Sequence, residues 1–212
     1  MAQRPRSPRP ASSRAGSRLK IIALLGSFAV GALILVAAAT ALMPKAPQST
    51  GTGVAAIGGP FTLVDQNGAV VTQASLKGKP TLIFFGFTHC PDVCPTALFE
   101  MSEIFTALGP DASKVQAYFV TVDPERDTPA VLKSYLGSFS PELKGLGGTP
   151  EQVDAMKRAY RVYSRKVPLD GGDYTMDHTA VIYLMDKNGE FLAPFNAKRP
   201  PAEAAADLRR LL

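Results

Sequence analysis

The chain has 212 residues with 23 Lys and Arg against 18 Asp and Glu, a formal net charge of +5; this is enough for one domain of ordinary size plus something further. The excess is concentrated at the start, where Arg4, Arg6, Arg9, Arg14, Arg18 and Lys20 stand without an acid. The rest has 17 basic and 18 acidic residues, and near-neutrality argues against a nucleic-acid-binding surface on the folded part.

Residues Ile21 to Met43 are uncharged and almost wholly apolar. As a helix they extend about 35 Å, enough for a hydrocarbon core of about 30 Å. A cleaved signal peptide, with Ala39-Thr40-Ala41 as its small-residue site, is the competing reading, but its apolar region runs only about 7–15 residues. The expectation is therefore an uncleaved single-pass anchor. Positive charge then keeps residues 1–20 cytoplasmic and places the C-terminal part outside. Residues 44–60, rich in Pro, Gly, Ser, Thr and Ala with Lys45 as the one charge, read as a flexible tether with an end-to-end distance of about 20–25 Å. The folded domain is expected over 61–212.

That domain opens with apolar segments, Phe61–Val64 and Ala69–Thr72, around Asp65-Gln66-Asn67-Gly68, which predicts a hairpin with the Asn-Gly pair that type I′ turns favour. Thr81–Phe87 is continuously apolar, as in a central strand buried on both faces. Leu98, Met101, Ile104, Phe105 and Leu108 recur at helical spacing within an amphipathic run from Ala97. Val115–Val122 predicts a second central strand. A helix capped by Thr128, with Pro129 at its first position, extends to about Phe139. Another opens at Thr149, whose spacing to Gln152 fits a capping box, and ends near Tyr160. Val162–Val167 reads as a short strand, Pro168–Met176 as a polar Gly-rich loop, Thr179–Met185 as a strand turning through Asp186-Lys187-Asn188-Gly189 into Glu190–Phe195, and Pro201–Leu212 as a closing helix. The order predicts an α/β fold, a mixed sheet with helices on both faces.

Both cysteines of the chain lie between the first central strand and the following helix, in Gly86-Phe87-Thr88-His89-Cys90-Pro91-Asp92-Val93-Cys94-Pro95. In an oxidising compartment a lone pair defaults to a structural disulfide, yet so small a ring gains little loop-closure entropy. Reversible redox chemistry or a shared metal suits the spacing better. Cys94, if in the first helical turn, meets the positive end of the helix dipole, which favours thiolate. Soft thiolates select Cu(I), Zn or iron–sulfur clusters. Zinc normally takes four ligands and iron–sulfur clusters usually four thiolates. With two cysteines and two histidines in the whole chain, two sulfurs and one nitrogen suit copper best. The nitrogen comes from His89 or from His178. His89 adjoins Cys90, and strand neighbours point to opposite faces; His178 stands where a loop enters the strand Thr179–Met185. Asp177 is a candidate partner for the second ring nitrogen, Asp92 a candidate tuner of thiol acidity, and Met176 a candidate thioether ligand, each against a plainer reading as a turn or packing residue. Asp123 and Asp127 resemble paired carboxylates but read as turn formers and caps.

At these residues the chain resembles the Sco/SenC family of membrane-anchored copper-binding proteins. The cysteine loop carries the resemblance with Val122-Asp123-Pro124-Glu125-Arg126-Asp127-Thr128-Pro129, with Asp177-His178-Thr179, and with Asp186-Lys187-Asn188-Gly189-Glu190-Phe191. It implies a thioredoxin-like fold and copper ligation by Cys90, Cys94 and His178. It also implies a role in building the copper A centre of cytochrome c oxidase subunit II. The implied location is the bacterial inner membrane with the domain periplasmic, or the mitochondrial inner membrane in a eukaryote. A periplasmic copper donor and a thioredoxin-like reductant are further implied partners. Two uses of the site remain open: copper delivery by a metallochaperone, which is not enzymatic, and thiol-disulfide reduction of the acceptor by the pair Cys90 and Cys94. A copper or redox sensor is a third.

Overall fold

The computed structural model describes residues 57–212; the basic tail, the apolar span Ile21–Met43 and most of the tether lie outside the described residues. Among the described residues no helix is long and apolar enough to cross a membrane. The end of the expected tether belongs to the domain: Ile57 packs against the core, and Gly58 N–H donates to the Ala159 carbonyl at 2.9 Å.

Strands β1 (Thr62–Asp65) and β2 (Val70–Thr72) form the expected hairpin. Its turn is not type I′, because Gly68 alone has positive φ, at 86°. Asp65 organises it instead, one carboxylate oxygen accepting the N–H groups of Asn67 and Ala69 at 2.8 and 2.9 Å, the local side-chain bonding that makes Asp a turn former. Asp186 repeats the device between β8 (Ile182–Met185) and β9 (Phe191–Phe195), accepting from Asn188 and Glu190.

The continuous apolar run becomes β3 (Thr81–Gly86), every residue of it buried. It pairs in parallel with β4 (Gln116–Thr121), and β4 in parallel with β5 (Leu143–Gly147). β8 (Ile182–Met185) joins β3 antiparallel, and β9 (Phe191–Phe195) follows it. The main sheet runs β2-β1-β5-β4-β3-β8-β9. One edge is the three-residue β2; the other, β9, contains Pro194. β5 departs from the sequence expectation, since glycine is depleted in strands. Here glycine admits a helix: a Cβ on Gly145 would stand 2.9 Å from Leu136 Cδ1 and 3.0 Å from Leu132 Cβ.

Helix α1 (Val93–Leu108) starts at the cysteine loop, four residues before the amphipathic run suggests. α2 (Pro129–Leu136) is capped by Thr128, whose hydroxyl accepts Val131 N–H, and α3 (Pro150–Ala159) by the Thr149–Gln152 capping box. α4 (Pro201–Arg209) packs on α1. Strand alternation assigns the faces. Phe84 meets Phe119, and Phe119 meets Tyr135 of α2, on one side, while Phe85 meets Tyr160, at the end of α3, and Tyr183 on the other. Helices thus flank the mixed sheet on both sides, as the order of elements predicts.

The expected loop Pro168–Met176 is largely a second hairpin. β6 (Ser164–Pro168) pairs antiparallel with β7 (Tyr174–His178) in a separate two-stranded sheet. His178 is therefore the last residue of β7, opposite Ser164, and β8 begins only at Ile182 rather than at Thr179. Tyr174, Met176 and His178 alternate onto one face of this hairpin.

Phe85 is fully buried between Tyr160 and Tyr183. Phe85→Ala is expected to cost about 3–5 kcal/mol, the range for phenylalanine truncated in a core, read as a lower denaturant midpoint at unchanged slope.

Candidate metal centre

The parallel pairing of β3 with β4 brings the C-terminal ends of both to one edge. Beyond β3 the chain is held by a buried carboxylate. Asp127, 2% exposed, accepts Thr88 N–H at 3.0 Å, Thr88 Oγ1 at 2.6 Å and Thr121 Oγ1 at 2.6 Å. Burying a charge is costly unless donors satisfy it, and three donors do so here. Asp127 is therefore more than a turn former: it fixes the entry to the cysteine loop, 39 positions upstream.

Asp92 is the N-cap residue of α1 by position, but its side chain makes no capping bond to the helix N–H groups. It is exposed, with Thr96 Oγ1 at 3.5 Å, and takes no part in the sulfur contacts. Cys90 is half-buried, and its Sγ accepts Cys94 N–H at 3.4 Å. Cys94 is the second residue of α1 and fully buried. Gly86 creates its berth, since a Cβ there would lie 2.8 Å from Cys94 Sγ and 2.6 Å from Phe119 Cε2. Any side chain at that strand end collides with the sulfur or the ring beside it.

Helix position does not decide the state of Cys94. Burial pushes its thiol well above the ordinary range; a backbone hydrogen bond at Phe87 opposes this, and neighbouring Cys90 and Asp127 add to the rise. Desolvation outweighs the helix terminus, so the expected thiolate is replaced by a protonated thiol in the metal-free domain. Both cysteines are free thiols.

His178 Nε2 stands 3.7 Å from Cys94 Sγ, across 84 positions of sequence. Its Nδ1 lies 3.0 Å from the Thr179 carbonyl. A carbonyl only accepts, so Nδ1 carries the proton and Nε2 presents its lone pair to the sulfur. Phe87 meets the ring edge-on, centroids 5.7 Å apart at 90°. The exposed Asp177 does not orient the imidazole; it lies on the opposite face of β7, and the Thr179 carbonyl takes that role. Met176 packs against the core. His89 is exposed and stays on its own side of the loop, its Nδ1 3.1 Å from Thr88 Oγ1.

The hairpin bearing His178 is tied down by Asp123, 1% exposed. Its carboxylate accepts Tyr174 Oη at 2.9 Å and pairs with Arg126. The Arg126 guanidinium lies over the Tyr174 ring, 3.8 Å from its centroid, and donates to the Tyr174 carbonyl. The sequence reading of Asp123 and Asp127 as turn formers thus misses their long-range bonds. The available signal was position: both follow the apolar strand β4, whose end shares an edge with the cysteine loop.

Among the described residues no group of three or more His, Cys, Asp or Glu side chains is spaced to hold a metal ion. The donors meet in pairs, Cys94 Sγ with His178 Nε2 and Cys90 Sγ with the Cys94 N–H. The 3.7 Å separation fits one ion between sulfur and nitrogen. At bond lengths of about 2.3 and 2.05 Å, those of zinc sites, it corresponds to an angle of about 116°.

A mixed sheet with flanking helices and a cysteine pair entering the helix after a central strand defines a thioredoxin-like domain. Residues 49–212 match the SCO1/SenC family model, and the chain belongs to that family. A SCO2-like protein of Rickettsia felis is 43% identical over 149 residues, covering 69% of this chain and 73% of the relative. The structure of Bradyrhizobium japonicum ScoI, solved with copper bound, is 66% identical with a TM-score of 0.73, covering 74% of this chain and 100% of that one. BsSco, described as having a disulfide switch and as a member of the Sco family of cytochrome c oxidase assembly proteins, is 25% identical with a TM-score of 0.59, covering 76% of this chain and 96% of that one.

Since thiolate is the reactive form, iodoacetamide at about pH 8 is expected to label half-buried Cys90 before buried, protonated Cys94. Peptide mass mapping over a time course checks this, and equal rates would contradict the assigned burial.

Proposed function

We propose that this protein is a membrane-anchored copper metallochaperone that binds one copper ion and delivers it to the copper A centre of cytochrome c oxidase subunit II. Residues 21–43 anchor it, residues 1–20 stay cytoplasmic, and residues 61–212 form the carrier outside the membrane. The observation that carries the reading is the meeting of Cys94 Sγ with His178 Nε2 at 3.7 Å, in a chain 66% identical to a ScoI solved with copper bound.

Cys90, Cys94 and His178 are the proposed donors, two soft sulfurs and an imidazole, a set that suits copper. Copper is cargo, so the site has to release it as well as hold it. Three donors leave room for an incoming acceptor thiolate, and ligand exchange then passes the ion on. His178 offers Nε2 to the ion, because its Nδ1 is held at the Thr179 carbonyl. The thiols lose their protons on binding. Below a thiol's pKa each displaced proton raises affinity with pH, and with Cys94 pushed up that rise extends through neutral pH.

The second reading is thiol-disulfide exchange, in which Cys90 and Cys94 reduce the acceptor's copper-site cysteines. It is favoured by two free thiols placed four positions apart with Cys90 Sγ against Cys94 N–H, and by the disulfide switch described for BsSco.

His178→Ala is expected to weaken Cu(I) binding by more than about tenfold, a loss that even outer-sphere changes produce; an unchanged affinity in a competition titration removes His178 from the site. Delivery is tested by mixing copper-loaded protein with subunit II domain whose cysteines are already reduced. Transfer of the ion supports delivery. Failure there, with reduction of an oxidised acceptor by the metal-free protein, supports exchange instead.

A further inference from the structure

The imidazole is carried by an element outside the main sheet. β6 and β7 form a two-stranded sheet of their own, and no residue of either strand is fully buried. Such a hairpin has little apolar burial to hold it in place. Its outer half is bonded instead to one turn, residues 123–127. Asp123 accepts Tyr174 Oη at 2.9 Å, Glu125 pairs with Lys166 at 2.6 Å, and Arg126 donates to the Tyr174 carbonyl at 2.9 Å.

Arg126 is the centre of this clamp. Its Nε pairs with Asp123, its Nη1 takes the Tyr174 carbonyl, and its guanidinium lies over two rings, 3.8 Å from the Tyr174 centroid and 6.0 Å from that of Phe87. Phe87 in turn meets the His178 imidazole edge-on at 5.7 Å. Two routes therefore lead from one guanidinium to the imidazole. One runs along β7, where Tyr174 and His178 share a face; the other passes through Phe87. A planar fork can bond at its edge and stack on its face at once, which an ammonium cannot. The arrangement is kept at a cost, since Arg126 Nη2 is buried without a hydrogen-bond partner, and a buried donor left unpaired destabilises.

We propose that Arg126 is a positioning residue for His178. It holds the hairpin through Tyr174 and the ring beside the imidazole through Phe87, so that Nε2 stays at Cys94 and copper is retained until an acceptor takes it. This rests on the copper-binding reading above. Arg126 itself bonds to Asp123, Asp173 and Tyr174 and acts on the ion only through the imidazole. Its influence on copper therefore vanishes when the imidazole is gone.

The test is a double-mutant cycle on the reduced full-length protein, with Cu(I) affinity read by competition titration. Arg126→Lys keeps the charge opposite buried Asp123 and removes the fork. It is expected to lower affinity about fivefold and to speed loss of the ion to a chelator, a coupling within the range found for residues of one network. In a His178→Ala background the same change is expected to alter affinity by less than twofold. A merely structural role would weaken binding equally in both backgrounds, and that result, or an unchanged affinity of Arg126→Lys alone, would overturn the proposal. Tyr174→Phe is a second variant for the case in which Arg126→Lys does not fold. It keeps the ring beneath the guanidinium, removes only the hydroxyl bonded to Asp123, and is expected to show the same dependence on His178; equal loss in both backgrounds would overturn the proposal here too. If His178→Ala by itself leaves affinity unchanged, the assignment of His178 as a donor falls, and this proposal with it. Additive losses with an intact His178 effect defeat this proposal alone.

Discussion

The carboxylate of Asp127 joins the chain segments that leave β3 and β4. Apolar burial drives the sheet together but has no direction, and it cannot aim a loop. A buried carboxylate can, because it is tolerable only when donors stand at set places around it. Its bonds to Thr88 and Thr121 fix where the cysteine loop begins. Asp123, four positions earlier in the same turn, does the corresponding work for the hairpin, through Tyr174 and Arg126. One short turn after β4 thus governs both halves of the donor set, the sulfurs through one carboxylate and the imidazole through the other.

Much of this fold could be read from the chain. The buried strands β3 and β4, the caps at Thr128 and Thr149, both Asp-x-Asn-Gly turns and the helix after the cysteines announce themselves through apolar runs and local bonding. What escaped has a common physical cause. β5 is built around glycines whose merit is the room they leave for Leu132 and Leu136, and β7 is a polar strand stabilised by its partner strand β6 and by the Arg126 cation over Tyr174. Such terms lie between remote segments and leave no periodicity.

The site divides in the same way. The cysteine loop was legible as sulfur chemistry, but spacing alone left the nitrogen open between His89 and His178. The family resemblance named His178, and the fold brings it to Cys94 while His89 stays exposed. Asp177 and Asp92 drew attention as neighbours in sequence, yet the groups that orient and shape the site are the Thr179 carbonyl, the absent side chain of Gly86 and the carboxylate of Asp127. The expected thiolate at the helix start gave way to desolvation, since Cys94 is sealed beneath Phe119 and the strand end.

The two rims of the main sheet bear on how such domains behave when crowded. A free strand edge is a template for pairing with another molecule. Here one rim ends in the three-residue β2, and the other carries Pro194, which lacks an N–H to donate. Neither rim extends a ladder well. Many copies can therefore share a small volume without polymerising side by side.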